Sequence, residues 1–468
     1  MGNPITPTSS FKPLFFVFQS KLLCFALLFL FASLYFTFSQ SKQCRFSSSS
    51  LSSDPILTFL YSYPSSYGEH KYAIPTTRST CSSPIKFSDY RGVLKVIDNY
   101  RNNTPSSSRV LRYMQGNADS FGGNFSTHVR FSYFDHQGHD TVVPCGFLKD
   151  FPVSYSDRIA MEKCDGVVVV SAIFNDHDKI RQPRGLGSKT MEYVCFFMFI
   201  DEVTLKELRH YGLLNSTQSS EDKIGAWRIV KVSSQNLYQN PAMNGVIPKF
   251  LVHRLFPNSI FSIWIDAKLQ LVVDPLLLIH SLVINENADM VISKHPYYIH
   301  TMEEAMATAR WKKWWDVYAL KMQMETYCEN GLQPWSPSKL PYASDVPDSA
   351  LILRKHGLSS DLFSCLMFNE LEAFNPRDQL AFAFVRDNMK PKMKLNMFEV
   401  EVFEQVAIEF RHHLKHIEAA NTATKMSSAV KTNRAVSDLL FVNGSSGSGC
   451  HNYLITMWGE SPRLIPKS

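Results

Sequence analysis

The chain has 468 residues, 45% of them hydrophobic, enough apolar side chain for a sizeable core and too much for a disordered chain. Forty-eight Lys and Arg against 42 Asp and Glu leave a net charge of +6, too small and too scattered an excess to point to nucleic acid. Nine cysteines contain no CxxC pair, which argues against a zinc ribbon or a thioredoxin-type site. In an oxidising compartment some would pair, with a connectivity that spacing does not give; Cys195 and Cys365, inside apolar runs, read equally well as buried thiols.

Residues 1–21 hold Lys12 and Lys21 and no acid. Leu22 to Phe38 (LLCFALLFLFASLYFTF) is uncharged and would span roughly 26 Å as a helix, the short end of what a bilayer needs. It starts too late and runs too long for a usual signal peptide, so it reads as a single-pass anchor with a cytosolic tail before it. Asn102, Asn124, Asn215 and Asn443 head N-x-S/T sequons, which permit a lumenal location for the chain beyond the anchor. Residues 39–140, opening with a serine-rich stretch, read as a stem and lumenal N-terminal region, 141–420 as the enzyme domain, and 421–468 as a flexible tail.

Within 141–420, strands and helices alternate. Gly166 to Ile173, Tyr193 to Ile200, Trp227 to Val232, Ser259 to Ile265 and Asp289 to Ser293 read as strands, and Ile247 to Phe256 as a short helix. Thr301 with Glu304 reads as a capping box, with Met302, Ala305, Met306 and Ala309 on the apolar face. Ala350 to Leu353 and Leu362 to Phe368 are further strand candidates. A long helix carrying Val400, Phe403, Ala407, Phe410, Leu414 and Ile417 on one face closes the domain. The pattern predicts an α/β fold with a mainly parallel sheet, whose ligands bind at the carboxyl ends of the strands.

Those ends carry polar clusters. The first strand runs into Asn175, followed by Arg181 and Arg184; the fourth runs into Asp266-Ala267-Lys268; the run ending at Phe368 delivers Glu370 and then Arg377-Asp378-Gln379. Such a layout suits a nucleotide sugar. Cations would face the diphosphate (Lys268, Arg184, Arg377), with Asn175 and Gln379 as polar contacts. A carboxylate among Asp266, Glu370 and Asp378 would take an acceptor proton or stabilise charge at the sugar carbon. Lys268 stands where a metal-binding Asp-x-Asp would have its second Asp. No cofactor is therefore certain from the sequence: a divalent metal, Mn²⁺ or Mg²⁺, would have to tolerate an ammonium there. Bland roles compete at each position. Asp378 could cap its helix, and Asp274 reads as the cap of the helix at Pro275. Trp311, Trp314 and Trp315 could stack on sugars, packing being the plainer use. His412, His413 and His416 have zinc-like spacing but sit among Arg411 and Lys415, as on a solvated basic face.

The segments SIWIDAKLQLVVDPLLLIHS, SKHPYYIHTMEEAMATARWKKWWD, METYCENGLQPW, KLPYASDVPD and LFSCLMFNELEAFNPRDQLAFAFVRD resemble the plant family of turgor-regulation-defect and mucilage-related proteins, over roughly Pro144 to Ile417. The resemblance implies a glycosyltransferase-like domain of the GT-A type in a type II Golgi membrane protein, with the endoplasmic reticulum as the other compartment. It also implies two activities: hexosyl transfer to a cell-wall glycan or glycolipid in one branch, and alkaline ceramidase activity, with ceramide as substrate, in the other. A glycosyltransferase-shaped binding protein without catalysis is the third reading. No GxSxG elbow or HExxH motif is present to support amide hydrolysis. Partners expected are the membrane, a nucleotide sugar with its acceptor, or ceramide.

Overall fold

Long β-branched and aromatic runs can hide in a folded chain only if both faces of each strand are covered. In the computed structural model, which describes residues 25–31, 33, 61–68, 87–103, 111–136, 142–214, 222–234, 237–412 and 449–458, the sheet achieves this. In chain order the strands are β1 (Arg112–Tyr113), β2 (Val142–Val143), β3 (Val167–Ile173), β4 (Val194–Ile200), β5 (Lys223–Ile224), β6 (Trp227–Lys231), β7 (Phe261–Ile265), β8 (Leu269–Leu271), β9 (Met290–Lys294), β10 (Pro347–Lys355), β11 (Leu395–Phe398) and β12 (Ala407–Glu409). Eight of them form one mixed sheet in the order β11-β9-β10-β7-β3-β4-β6-β5. The block β7-β3-β4-β6 is parallel throughout, β9 pairs parallel with β11, and β10 and β5 run against their neighbours. Two small pairs flank it, β1 with β2 and β12 with β8.

Alternate residues of each strand feed opposite cores. Val168, Val170, Phe197, Phe199 and Trp264 face one layer, with the helices Pro241–Phe250, Leu358–Ala373 and Asp378–Asn388. Val167, Val169, Phe196, Met198, Ile263 and Ile265 face the other, with Tyr90–Asn103, Glu202–His210, Pro275–Leu278 and Val400–Val406.

Several expectations are corrected. Leu362 to Phe368 is not a strand but the middle of the helix Leu358–Ala373, buried on all sides, so that its apolar run shows no helical period. The closing helix stops at Val406, because Ala407–Glu409 pairs with β8 as β12; residues 414 and 417 lie outside the described residues. The helix Thr301–Arg310 is capped one residue earlier than expected: Glu303 Oε2 accepts from the His300 N–H, while Glu304 is buried.

The region 39–140 is more than a stem. Tyr67 is buried and its hydroxyl accepts from the Ile180 N–H, Val93 and Ile97 join one core, and Phe121 and Phe134 join the other. The tail likewise returns to the fold. The helix Gly449–Trp458 carries Cys450, disulfide-bonded to Cys328, and a buried Tyr453. Cys145–Cys365 and Cys164–Cys195 are the other two bridges, so Cys195 and Cys365 are not free thiols. Most of the 22–38 run lies outside the described residues; 25–31 and 33 are helical and exposed. Among the described residues no helix is long and apolar enough to cross a membrane.

Candidate functional site

The carboxyl ends of β3, β4 and β7 lie along one edge of the sheet. The Asp266 N–H, just past β7, donates to Ala350 O of antiparallel β10, which brings the start of β10, Asp348 and Ser349, beside the end of β7. The helix Pro241–Phe250 crosses the same region and contributes Lys249, a cation on an otherwise apolar face. Its Nζ lies 2.7 Å from Asp378 Oδ2, 3.6 Å from Asp266 Oδ1 and 3.2 Å from Ser349 Oγ. Ser349 Oγ donates to the second oxygen of Asp378 at 2.7 Å, and Trp264 Nε1 donates to Asp266 at 2.7 Å. Burial alone would lower the Lys249 pKa, but the carboxylates of Asp266 and Asp378 outweigh it and hold the ammonium above its ordinary value.

Asp378 is therefore not a helix cap. Arg377 occupies that position without a side-chain cap bond, and both Asp378 oxygens are spent on Lys249 and Ser349. Asp266 is the more open of the two carboxylates, with its side chain 32% exposed against 7% for Asp378.

Lys268, two residues beyond Asp266, turns to Glu409 of β12 at 3.0 Å. Asp266, Glu409 and Asp348 together raise its pKa against the opposing pull of burial. Asp348 has its own pKa raised by burial. An ammonium within this ring of carboxylates fills the place a two-carboxylate metal site would need, so the usual Asp-x-Asp metal does not fit here. In their ordinary charge states, Lys249 and Lys268 also face four carboxylates, Asp266, Asp348, Asp378 and Glu409. Lys268 is thus paired with Glu409, and a phosphate that it contacts would share the ammonium with that carboxylate.

The remaining expected residues scatter. Glu370 is corrected outright. It sits inside a helix, fully buried, paired with Arg130 at 2.8 Å and accepting from the Tyr327 hydroxyl at 2.9 Å, so it holds the core together and does not face a cleft. Arg377 is paired with the buried Glu304 at 2.5 Å, and Lys313 reaches the same carboxylate at 3.2 Å. Gln379 is half-buried one residue into the helix after Arg377. Asn175 is exposed at the end of β3 with a φ of +60°, in the left-handed region that Asn tolerates, and its N–H donates to Asp201. Arg184 is exposed in a loop tied by its N–H to Leu271 O.

Asp274 caps the helix at Pro275 through the Leu276 N–H and also accepts from the Gly187 N–H and Thr190. Trp311 and Trp315 are exposed rather than packed, with Lys313 Nζ 5.2 Å from the Trp311 ring. His412 does not lie in a helix. It follows β12 and contacts Asp178, while His413 and His416 lie outside the described residues. Reading the sequence also missed Lys249, Asp348, Ser349 and Glu409. Lys249 left one signal, a lone cation in a buried apolar helix, which must find a carboxylate partner.

Residues 106–412 match the TOD1/MUCI70, glycosyltransferase-like domain. The chain belongs to this family. It is 61% identical over 470 residues to "Alkaline ceramidase TOD1" of Arabidopsis thaliana, covering 98% of this chain and all of that protein. It is 38% identical over 312 residues to "Probable hexosyltransferase MUCI70" of the same plant, covering 62% of this chain and 52% of that one. Among solved structures, mouse xyloside xylosyltransferase 1 aligns with 50% of this chain and 84% of its own at 8% identity and a TM-score of 0.26. The bifunctional glycosyltransferase WbbM aligns with 50% of this chain and 38% of its own at 9% identity and a TM-score of 0.24. Both alignments are too loose to carry an argument about the site. The family membership and the mixed sheet establish a glycosyltransferase-like α/β domain, whose edge cluster is the place to look for chemistry.

Proposed function

We propose that this TOD1/MUCI70 domain transfers a hexosyl group from a nucleotide sugar to a glycan or glycolipid acceptor, in a type II protein anchored in the Golgi membrane by residues 22–38. The observation that carries the reading is the gathering of Lys249, Asp266, Lys268, Asp348 and Asp378 at the carboxyl ends of the parallel strands β7, β3 and β4 in the mixed sheet, where α/β folds take their ligands. In this reading Asp266, the more open carboxylate, takes the acceptor proton or faces the positive charge that develops at the sugar carbon. Asp378, through Lys249 and Ser349, holds it in place. General acid–base help of this kind is worth ~10²–10⁴-fold in rate. Exposed Trp311 gives a sugar ring an aromatic face beside Lys313, which shares Glu304 with Arg377, the residue before Asp378. Three disulfides and the exposed sequon residues Asn102 and Asn124 suit an oxidising lumen.

The second reading is hydrolysis of ceramide to sphingosine and fatty acid, favoured by the name of the relative that is 61% identical. Both readings are tested on one preparation. The purified full chain is assayed side by side for nucleotide-sugar turnover and for sphingosine release. Transfer that disappears in Asp266→Asn supports the first reading. Sphingosine release, with no nucleotide sugar bound or turned over, replaces it with the second.

A further inference from the structure

A ring of carboxylates that outnumbers its ammonium groups is a poor place to receive a diphosphate unless positive charge is supplied nearby. Within the described residues, one polar cluster on the same side of the sheet brings three side chains with metal-ligand atoms together. The chain leaves β3 through Asn175 and Asp176, both with positive φ, and this bend delivers His177 and Asp178. The far end of the domain delivers His412, just past β12, whose neighbour Phe410 is tied by its N–H to Lys268 O. Residues 234 positions apart thereby meet: His412 Nδ1 is 3.0 and 3.1 Å from the two oxygens of Asp178. The His177 and His412 rings are 4.4 Å apart, and one donor atom from each of the three residues falls within 4.8 Å of the others.

We propose that His177, Asp178 and His412 bind a divalent transition-metal ion. The spacing suits one. Ligands held about 2.0–2.2 Å from a shared ion stand roughly 3 Å apart, where the Asp178 and His412 atoms already are. The donor set also suits one. Two imidazoles and a carboxylate favour zinc, manganese or iron over magnesium and calcium, which prefer oxygen alone. Asp178 is buried, while both histidines are exposed, so the three protein ligands leave coordination positions open to solvent. With neutral imidazoles, the ion and Asp178 leave one positive charge at the open positions. Those positions would take an oxyanion, a phosphate oxygen above all, beside a carboxylate cluster that repels one. The site differs in every ligand from the Asp266–Lys268 step, and its occupancy does not depend on whether the chain transfers sugars or cleaves an amide. The competing account is a plain hydrogen bond from His412 to Asp178 with the His177 ring tilted at 42° beside it.

The full chain, purified in detergent and stripped with a chelator, is titrated with Zn²⁺, Mn²⁺ and Mg²⁺ separately, with bound metal read by calorimetry and elemental analysis. A single ion of zinc or manganese should bind, and magnesium much more weakly. His177→Ala and His412→Ala should each lower the affinity on the order of 10-fold or more, by analogy with the loss that even outer-shell changes cause. Both side chains are exposed, so the metal-free melting temperature should hardly move. Asp178→Asn, which keeps the shape and the contact to His412, should also lose affinity. No binding by the stripped wild type overturns the proposal. So does equal affinity for Mg²⁺, or wild-type affinity in the doubly substituted His177→Ala/His412→Ala chain.

Discussion

Asp378→Asn is the substitution on which the geometry speaks most directly. The change keeps the shape of the side chain and one oxygen to accept from Ser349 Oγ. It removes the charge 2.7 Å from Lys249 Nζ and can turn an amide N–H₂ toward an ammonium that only donates. The two side chains are 7% and 12% exposed, so water replaces little of what is lost. Asp266 at 3.6 Å remains as a weaker partner. Breaking a buried pair on one side costs roughly 3–5 kcal/mol; with Asp266 still present, the lower figure applies. At ~2.1 cal/mol/K per residue, the matched stretch 106–412 has an unfolding entropy of about 0.6 kcal/mol/K, so 3 kcal/mol lowers the melting temperature by about 5 °C. Differential scanning calorimetry on the purified chain reads this directly. Lys249→Met in the same background should recover part of the loss, because it removes the stranded cation. A helix cap would be indifferent to Asp378→Asn, since Asn caps about as well as Asp. An unchanged melting temperature, or strict additivity with Lys249→Met, would refute the pairing of Asp378 with Lys249 at the centre of the site.

Glu370→Gln should be costlier still, roughly 3–5 kcal/mol, because it strands the buried Arg130, yet the folded fraction should keep its specific activity. Activity normalised to native protein checks this. Lys268→Ala should weaken nucleotide binding about 10–100-fold, the worth of a charge-assisted hydrogen bond, if the ammonium is shared between Glu409 and the ligand; calorimetric titration with a nucleotide sugar decides it. Asp348 has a folded-state pKa raised above 3.8 by burial, so its neutral form stabilises the fold at acid pH and that contribution is lost as pH rises through the folded value. Asp348→Asn should therefore gain melting temperature relative to wild type as the pH is raised from about 4 toward neutrality. A constant difference across that window would remove Asp348 from the cluster's electrostatics.

How much of this is legible in the sequence depends on where each signal lives. β3, β4, β6, β7 and β9 can be read because doubly covered strands must be continuous apolar runs. The same rule misleads at Leu362 to Phe368, since a helix wrapped by neighbours on every side is apolar without period. Ala407–Glu409 continues a helical pattern, and only pairing with β8 makes it extended. Asp266 and Asp378 can be named from their places after an apolar run and before a helix. Their meeting at Lys249 cannot, because no local pattern links positions so far apart. His412 is masked by its basic neighbours, and its Asp178 partner lies at the other end of the domain.

The bridge from Cys328 to Cys450 bears on how the chain can be made. On the ribosome, Cys328 emerges well before its partner, and Cys145 before Cys365, a wait of 122 and 220 residues respectively. During that interval Cys328 has no partner, and the layer that Tyr453 will cover is open to oxidants, chaperones and other nascent chains. A protein truncated at residue 412, where the family match ends, would carry that state permanently. Expression of the domain should extend past Trp458, in cells whose disulfide isomerases can correct an early mispairing.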